Sequence, residues 1–293
     1  MNAMTTRICL RRLVSLAFAL PCFASVALSN DSLEVKWSAL ADVMYSYSLN
    51  APPDHMRAYS TQPSRDREIG LMQAQLSIDG ATDWFRGKVT LQGGWFPNAV
   101  YTGADSTWRN LQEAKVGIRI TDSLWIDAGI MYSHIGYESM IGRSNLTLGR
   151  SMTADYTPYY ETGAALTWTP DQHWTLSALV LNGWQQIVDV NSEASFGTRI
   201  AYAFTKDATL SWSTYYGNDM PSSMAQRFRF HNNVWFEVKP VNDITAVLLL
   251  DHCSMEASND MMVEQWYAGV IGAWSITEMW RIAARVEHYN DPN

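Results

Sequence analysis

Residues 110–132 read NLQEAKVGIRITDSLWIDAGIMY, two regular segments around the polar connection Thr121-Asp122-Ser123. In the first segment Gln112, Ala114, Val116, Ile118 and Ile120 share one parity and Glu113, Lys115, Gly117, Arg119 and Thr121 the other. A period of two places successive side chains on opposite faces of a strand, so this stretch predicts a hairpin with one apolar and one charged face. Residues 227–239 repeat the pattern, with Phe228, Phe230, Val234, Phe236 and Val238 opposite Arg227, Arg229, His231, Asn233 and Glu237. Residues 279–289 set Trp280, Ile282, Ala284 and Val286 against Arg281, Ala283, Arg285 and Glu287. Such ribbons suit either a soluble sandwich, with the apolar face inward, or a membrane barrel, with the apolar face outward.

The aromatic residues favour the barrel. Trp174 and Trp184 share one parity of segment 174–184, Trp266 and Trp274 one parity of 264–275, and Tyr45 and Tyr47 close the first segment. Amphipathic rings at both ends of an apolar band suit two membrane interfaces, where the ring body enters hydrocarbon and its polar atom stays wet. The chain carries 13 Trp, 14 Tyr and 9 Phe at a mean hydropathy of only −0.16. After the leader, its longest strongly apolar run is Ile244–Leu250, far short of a membrane-spanning helix of roughly 20 residues.

Connections give a second sign. Short polar links at 79–83, 121–123, 169–173, 205–207, 239–243 and 275–278 alternate with longer ones at 51–66, 97–108, 133–158, 185–193, 218–226 and 255–261. That asymmetry is expected of an outer-membrane barrel with short periplasmic turns and long outer loops. The pattern predicts thirteen antiparallel up-and-down strands over about 34–50, 67–79, 84–96, 109–121, 123–132, 159–169, 173–184, 194–205, 207–217, 227–239, 242–254, 262–275 and 278–289. Single-chain bacterial barrels close with even numbers, so the odd count predicts either one miscounted strand or, as the loop-like Asp291-Pro292-Asn293 favours, fourteen or more strands and further sequence beyond Asn293.

The N-terminal end predicts export. Arg7, Arg11 and Arg12 precede the apolar stretch LVSLAFALPCFASVAL (13–28), with small residues at Ser25-Val26-Ala27, so residues 1–29 read as a signal peptide and 30–293 as the barrel. Removing three arginines from 21 basic residues leaves 18 against 29 acidic, a charge of −11 that excludes general nucleic-acid binding. Cys9 and Cys22 leave with the leader, and Cys253 alone cannot form an internal disulfide. The six histidines are scattered at loops and strand ends without ligand spacing, so neither a metal nor another cofactor is expected.

Residues 133–158 are the longest connection and the third outer loop. SHIGYESMIGRSNLTLGRS (133–151), ADYTPYYETGAALTW (154–168) and ARVEHYNDP (284–292) together resemble the OmpL-like, β-barrel porin-2 family of bacterial outer-membrane proteins, from about residue 35 to the end. The resemblance implies a porin-like barrel for passive passage of small hydrophilic solutes or ions, no catalytic residues, and strands continuing beyond the ND-P segment. Porin precedent adds a third loop that narrows the lumen and a homotrimer.

On that reading Arg143 and Arg150 face carboxylates across the channel, with Glu138, Asp155 and Glu161 as candidate partners, because a guanidinium keeps its charge and a fixed donor fork. Otherwise the two arginines simply pin the loop or sit in solvent. Lumenal parity adds Lys36, Arg86, Lys88, Lys115, Arg119, Arg199, Arg227, Arg229, Arg281 and Arg285 against Asp42, Glu113, Asp127, Glu161, Glu237 and Glu287, an excess that predicts a weak anion preference. Gly94, Gly117, Gly129, Gly163 and Gly197 on the same parity suggest open space. Two rivals stand beside the channel. One is a non-conducting structural or adhesive barrel. The other is a hydrolase built on His252 and Ser254, two apart on one strand face as in outer-membrane phospholipases, with Asn259 the loop candidate to orient the histidine.

Overall fold

The computed structural model describes residues 32–101, 107–257 and 261–292; the leader expected over residues 1–29 and Asn259 lie outside them. Thirteen antiparallel strands follow one another in a single sheet: β1 (Glu34–Tyr45), β2 (Ile69–Ala81), β3 (Phe85–Gly93), β4 (Leu111–Thr121), β5 (Leu124–Tyr132), β6 (Tyr160–Trp168), β7 (Trp174–Leu181), β8 (Ser195–Thr205), β9 (Ala208–Asn218), β10 (Phe228–Val241), β11 (Ile244–Glu256), β12 (Met262–Ser275) and β13 (Arg281–Asn290). Strand order equals chain order, so β1 and β13 are the two edges of the sheet. All thirteen predicted strands are present. Connections of two to five residues alternate with longer ones, the longest being residues 133–159, until the last on the long side, 257–261, which has five residues.

Side-chain oxygens close the short turns. Asp171 Oδ1 accepts from the His173 and Trp174 amides at 2.7 and 3.0 Å, Thr82 Oγ1 from Phe85 N at 3.1 Å, and Thr205 Oγ1 from Asp207 N at 3.1 Å. Asp and Thr can bond the backbone two or three residues ahead, which lets a turn form where no ladder partner exists.

The sheet is inside out relative to a soluble protein. Val116, Ile118, Leu166, Val180, Phe196, Leu248 and Val270 are exposed on the outer face, whereas Ser77, Thr90, Gln92, Glu113, Ser211, Ser213, His231 and Asn233 are buried on the inner one. Burying polar groups while leaving aliphatic ones outside is unfavourable in water, and favourable where the outer medium is hydrocarbon. No helix among the described residues is long and apolar enough to cross a membrane. Most exposed rings on or next to the strands form two bands, Trp37, Trp168, Trp274 and Trp280 toward the short turns and Tyr45, Phe196, Tyr216, Phe230 and Trp266 toward the long loops, with Trp212 of β9 between them. Trp266 and Trp274 lie eight residues apart on β12. At ~3.4 Å per residue and ~40° tilt that is about 21 Å along the membrane normal, near the ~25 Å apolar band of outer-membrane barrels.

Four local expectations are corrected. First, β1 stops at Tyr45, five residues early, because Ser46 and Ser48 bond Arg65, Arg67 and Asp66 of the first long loop instead of a neighbouring strand. Second, β3 stops at Gly93, because Gly94 takes φ +116° where a Cβ would sit 2.7 Å from Met72 O, and the chain turns into α1 (Trp95–Val100). Third, Gln112 belongs inside, not with Val116. Thr90 pairs with Glu113 and Leu91 with Leu111, so Gln112 is the extra residue of a bulge, and Gln75 Nε2 and Tyr132 OH donate to its Oε1 at 2.9 and 3.1 Å. Fourth, Trp184 is not an interfacial ring. Strand β7 ends at Leu181, Gly183 (φ +141°) turns the chain inward, and the indole packs on Tyr215 at 4.9 Å.

Candidate functional site

Residues 133–159 fold against the inner face of the sheet and meet strands far apart in sequence. At the root, Ser133 Oγ and the His134 amide donate to Glu161 of β6, the His134 ring lies between Glu161 and Thr214 O of β9, and Ser213 Oγ donates to His134 O. Next, Gly136 N donates to Asn233 Oδ1 of β10 at 3.1 Å, and Tyr137 sets its edge on Trp235 and donates its hydroxyl to Glu237. Burial and the Glu237 carboxylate together push the Tyr137 phenol pKa up, so it stays a donor. Glu138 accepts from Ser151 N at 2.9 Å, which ties the two arms of the loop together.

The tip is a small closed unit. Asn145 exchanges two bonds with Ser139, at 2.7 and 3.0 Å, around the 3-10 turn Gly142–Ser144. Ser151 then caps α2 (Met152–Tyr156), accepting from Ala154 N at 3.2 Å. From there the loop crosses to the β13 edge. Glu287 accepts from Met152 N at 2.9 Å, Tyr156 stacks on Tyr289 at 5.0 Å, Arg281 donates to Asn145 O, and Arg285 donates to Thr147 Oγ1, Gly149 O and Arg150 O. On the opposite flank Asp155 accepts from Thr61 of the first long loop, and Tyr159 rests its ring against Phe96 of α1. One loop therefore reaches β6, β9, β10 and β13 as well as the first and second loops, which places it in the space on the inner side of the sheet.

The predicted residues fall into different settings within this space. Arg143 is exposed on the tip and makes no side-chain hydrogen bond or ion pair among the described residues. Arg150 is only 6 % exposed; its guanidinium lies 4.6 Å from the Tyr159 ring centroid and 5.3 Å from that of Phe96, and donates to Ser139 O. Its Nε and Nη1 meet no protein acceptor. Glu138, Asp155 and Glu161 bond Ser151, Thr61 and His134 respectively and pair with neither arginine.

Along the wall, Arg86 pairs with Asp127, Lys88 and Lys115 share Glu113, Arg229 pairs with Asp219, and Arg285 lies 3.1 Å from Glu287 and 3.7 Å from Glu138. Arg119 turns to Asp122 at the short-turn rim. Among the described residues Arg281 and Arg199 have no carboxylate within ion-pair distance; Arg199 donates to Ser211 Oγ and covers the Trp235 ring. The inner glycines do not mark empty space: a Cβ on Gly117 would meet Asp127, and one on Gly197 the His134 ring at 2.6 Å. Gly117 and Gly197 are small so that a charged or ring neighbour can come close to the backbone, whereas at Gly94, Gly129 and Gly163 the close atoms are neighbouring backbone.

Sequence reasoning missed the carboxylate that His252 and Ser254 share. His252 and Ser254 do lie on the outer face, but both bond Glu264, with Ser254 Oγ donating to Glu264 Oε1 at 2.9 Å. The serine proton is directed at a carboxylate and not at the imidazole, which is not the arrangement of a base-activated nucleophile. Glu264 is directly opposite Ser254 in the β11–β12 register, a pairing that strand alignment could have revealed. No group of three or more His, Cys, Asp or Glu side chains among the described residues is placed to hold a metal ion.

Comparison with solved structures supports the fold alone. Outer-membrane-expressed OmpT of Vibrio cholerae matches at a TM-score of 0.56 and 10% identity, over 90% of this chain and 79% of that one. An in-vitro-folded OmpT of the same organism, described as a trimer form, matches at a TM-score of 0.47 and 9% identity over 89% of each chain. No curated protein matches. The sequence model of the family described as "Putative beta-barrel porin-2, OmpL-like" matches residues 34–293. With an antiparallel up-and-down sheet, an apolar outer face and a polar inner one, this chain belongs to that OmpL-like porin family of the bacterial outer membrane.

Proposed function

We propose that the protein is a channel for passive diffusion of small hydrophilic solutes, with residues 133–158 constricting its lumen and a weak preference for anions. The observation that carries this reading is the course of that loop, bonded to β6, β9, β10 and β13 on the inner face of a sheet whose outer face suits lipid. Selection then follows from diameter and from the field of lumenal charge, and conduction needs only weak binding. Most wall charges neutralise one another in the pairs above. Among the described residues Arg143, Arg150, Arg199 and Arg281 have no carboxylate partner and Asp42 and Asp155 no cationic one, so the surplus is cationic, and the exposed Arg143 can meet a passing solute. Chemistry on the solute forms no part of this reading: Ser254, the candidate nucleophile, donates to Glu264.

Planar-bilayer recording tests it. The chain should give discrete conductance steps, with a reversal potential in a salt gradient displaced toward the anion value. Arg143→Ala should reduce that displacement, and Arg150→Ala should raise conductance by loosening the loop. Unchanged currents in both variants would remove the constriction role, and silent membranes would favour the non-conducting structural barrel.

A further inference from the structure

The His134 side chain is 7 % exposed and its surroundings fix its protonation state by geometry. Nδ1 lies 3.0 and 2.9 Å from the two carboxylate oxygens of Glu161, and Nε2 lies 2.8 Å from the Thr214 carbonyl oxygen. A carboxylate and a backbone carbonyl can only accept, so both ring nitrogens must carry a proton for both contacts to be hydrogen bonds. Neutral imidazole has one N–H and would leave one of these acceptors facing a lone pair. Gly197 of β8 admits the ring, as a Cβ there would lie 2.6 Å from Cε1. The other charged group near the ring is Arg199 of β8, which opposes the imidazolium; Ser133 and Ser213 contribute only hydroxyls. Burial disfavours the charged ring, but the Glu161 carboxylate and the Thr214 carbonyl outweigh that, and the pKa is raised.

We infer that His134 is a charged latch that fastens the root of the constricting loop to β6 and β9, and that its deprotonation releases the loop and widens the channel. This rests on the channel reading above and names how that constriction is regulated. Pairing places the folded pKa above the unfolded value of about 6.5, so the latch is complete below about pH 6.5 and is lost as pH rises through the higher folded value. Alkaline conditions should therefore open the channel. Three kinds of group meet at this point, a loop histidine, a β6 carboxylate and a β9 carbonyl, so the latch spans elements 27 and 80 residues away in sequence.

The test pairs two readouts on the full chain: nitrogen NMR of labelled histidine in detergent micelles, with His134→Gln assigning the signal, and bilayer conductance across the same pH range. The expected result is a doubly protonated His134 at neutral pH, with a conductance rise whose midpoint matches its titration and lies above about 6.5. His134→Gln and Glu161→Gln should each lose the step. A neutral His134 ring at pH 6, or a high-titrating ring with pH-independent current, would overturn the latch while leaving the channel standing. Absence of current at every pH would overturn both, with the NMR titration still reporting whether the ring is charged.

Discussion

Replacing Arg285 with alanine should detach the tip of the 133–159 loop from the β13 edge while leaving the wall intact. The guanidinium, 16% exposed, spends Nη1 and Nη2 on Thr147, Gly149 and Arg150 and Nε on Glu287, with Glu138 at 3.7 Å. Glu138 is almost wholly buried, so removing the cation leaves its carboxylate uncompensated. Breaking one partner out of a buried charge pair costs about 3–5 kcal/mol. At ~1.4 kcal/mol per tenfold, about 4 kcal/mol lowers the docked-to-free ratio of the loop roughly a thousandfold. Hydrogen exchange should show the amides of residues 139–152 losing protection by that order, and single-channel conductance should rise. The β12–β13 ladder does not use this side chain, so thermal unfolding of the sheet should change little. Arg285→Lys should fall between, since one ammonium cannot reproduce a fork that reaches three loop oxygens. Wild-type exchange and wild-type currents in Arg285→Ala would refute the assignment of this residue as the clasp.

Two further substitutions probe other parts of the account. Leu248 faces outward at mid-strand between Phe236 and Val270, so Leu248→Arg should destabilise the liposome-folded barrel by about 2–4 kcal/mol in urea titrations; a change within about 0.5 kcal/mol, the range of ordinary surface sites, would contradict a lipid-facing position. Gly197→Ala should expel the His134 ring and reproduce the conductance of His134→Gln at neutral pH, because its methyl would occupy the space of Cε1; an unaltered pH–conductance curve would show that the ring is not held there.

The strands were legible because period-two alternation and polar turn residues act locally: each of the thirteen segments carries its own signal. What failed did so where one residue breaks that periodicity. The Gln112 bulge shifts a single side chain across the sheet, and nothing in EAKVGIRI announces it. Gly183 turns the chain before Trp184, and parity counted through that glycine assigns the indole to the wrong face. The loop arginines were recognisable as unusual, but their different settings depend on distant groups: Arg150 is held by Phe96 and Tyr159, while Arg143 has no such platform. His134 was read as one of six scattered histidines. Its importance comes from Glu161 and Thr214, which only the curvature of the sheet brings to it.

The claim beneath all of this is that the hydrophobic parity of each strand faces lipid. A spin-label scan along β10, carried out in bilayers on a Cys253→Ser background, measures that directly through accessibility to oxygen, which concentrates in hydrocarbon, and to a water-soluble nickel chelate. Labels at Phe230, Val234 and Phe236 should be open to oxygen and closed to the chelate, and labels at His231, Asn233 and Trp235 should be closed to oxygen, following the buried and exposed alternation of this strand. The reverse alternation, with oxygen reaching the His231, Asn233 and Trp235 positions and the chelate reaching the others, would contradict the account.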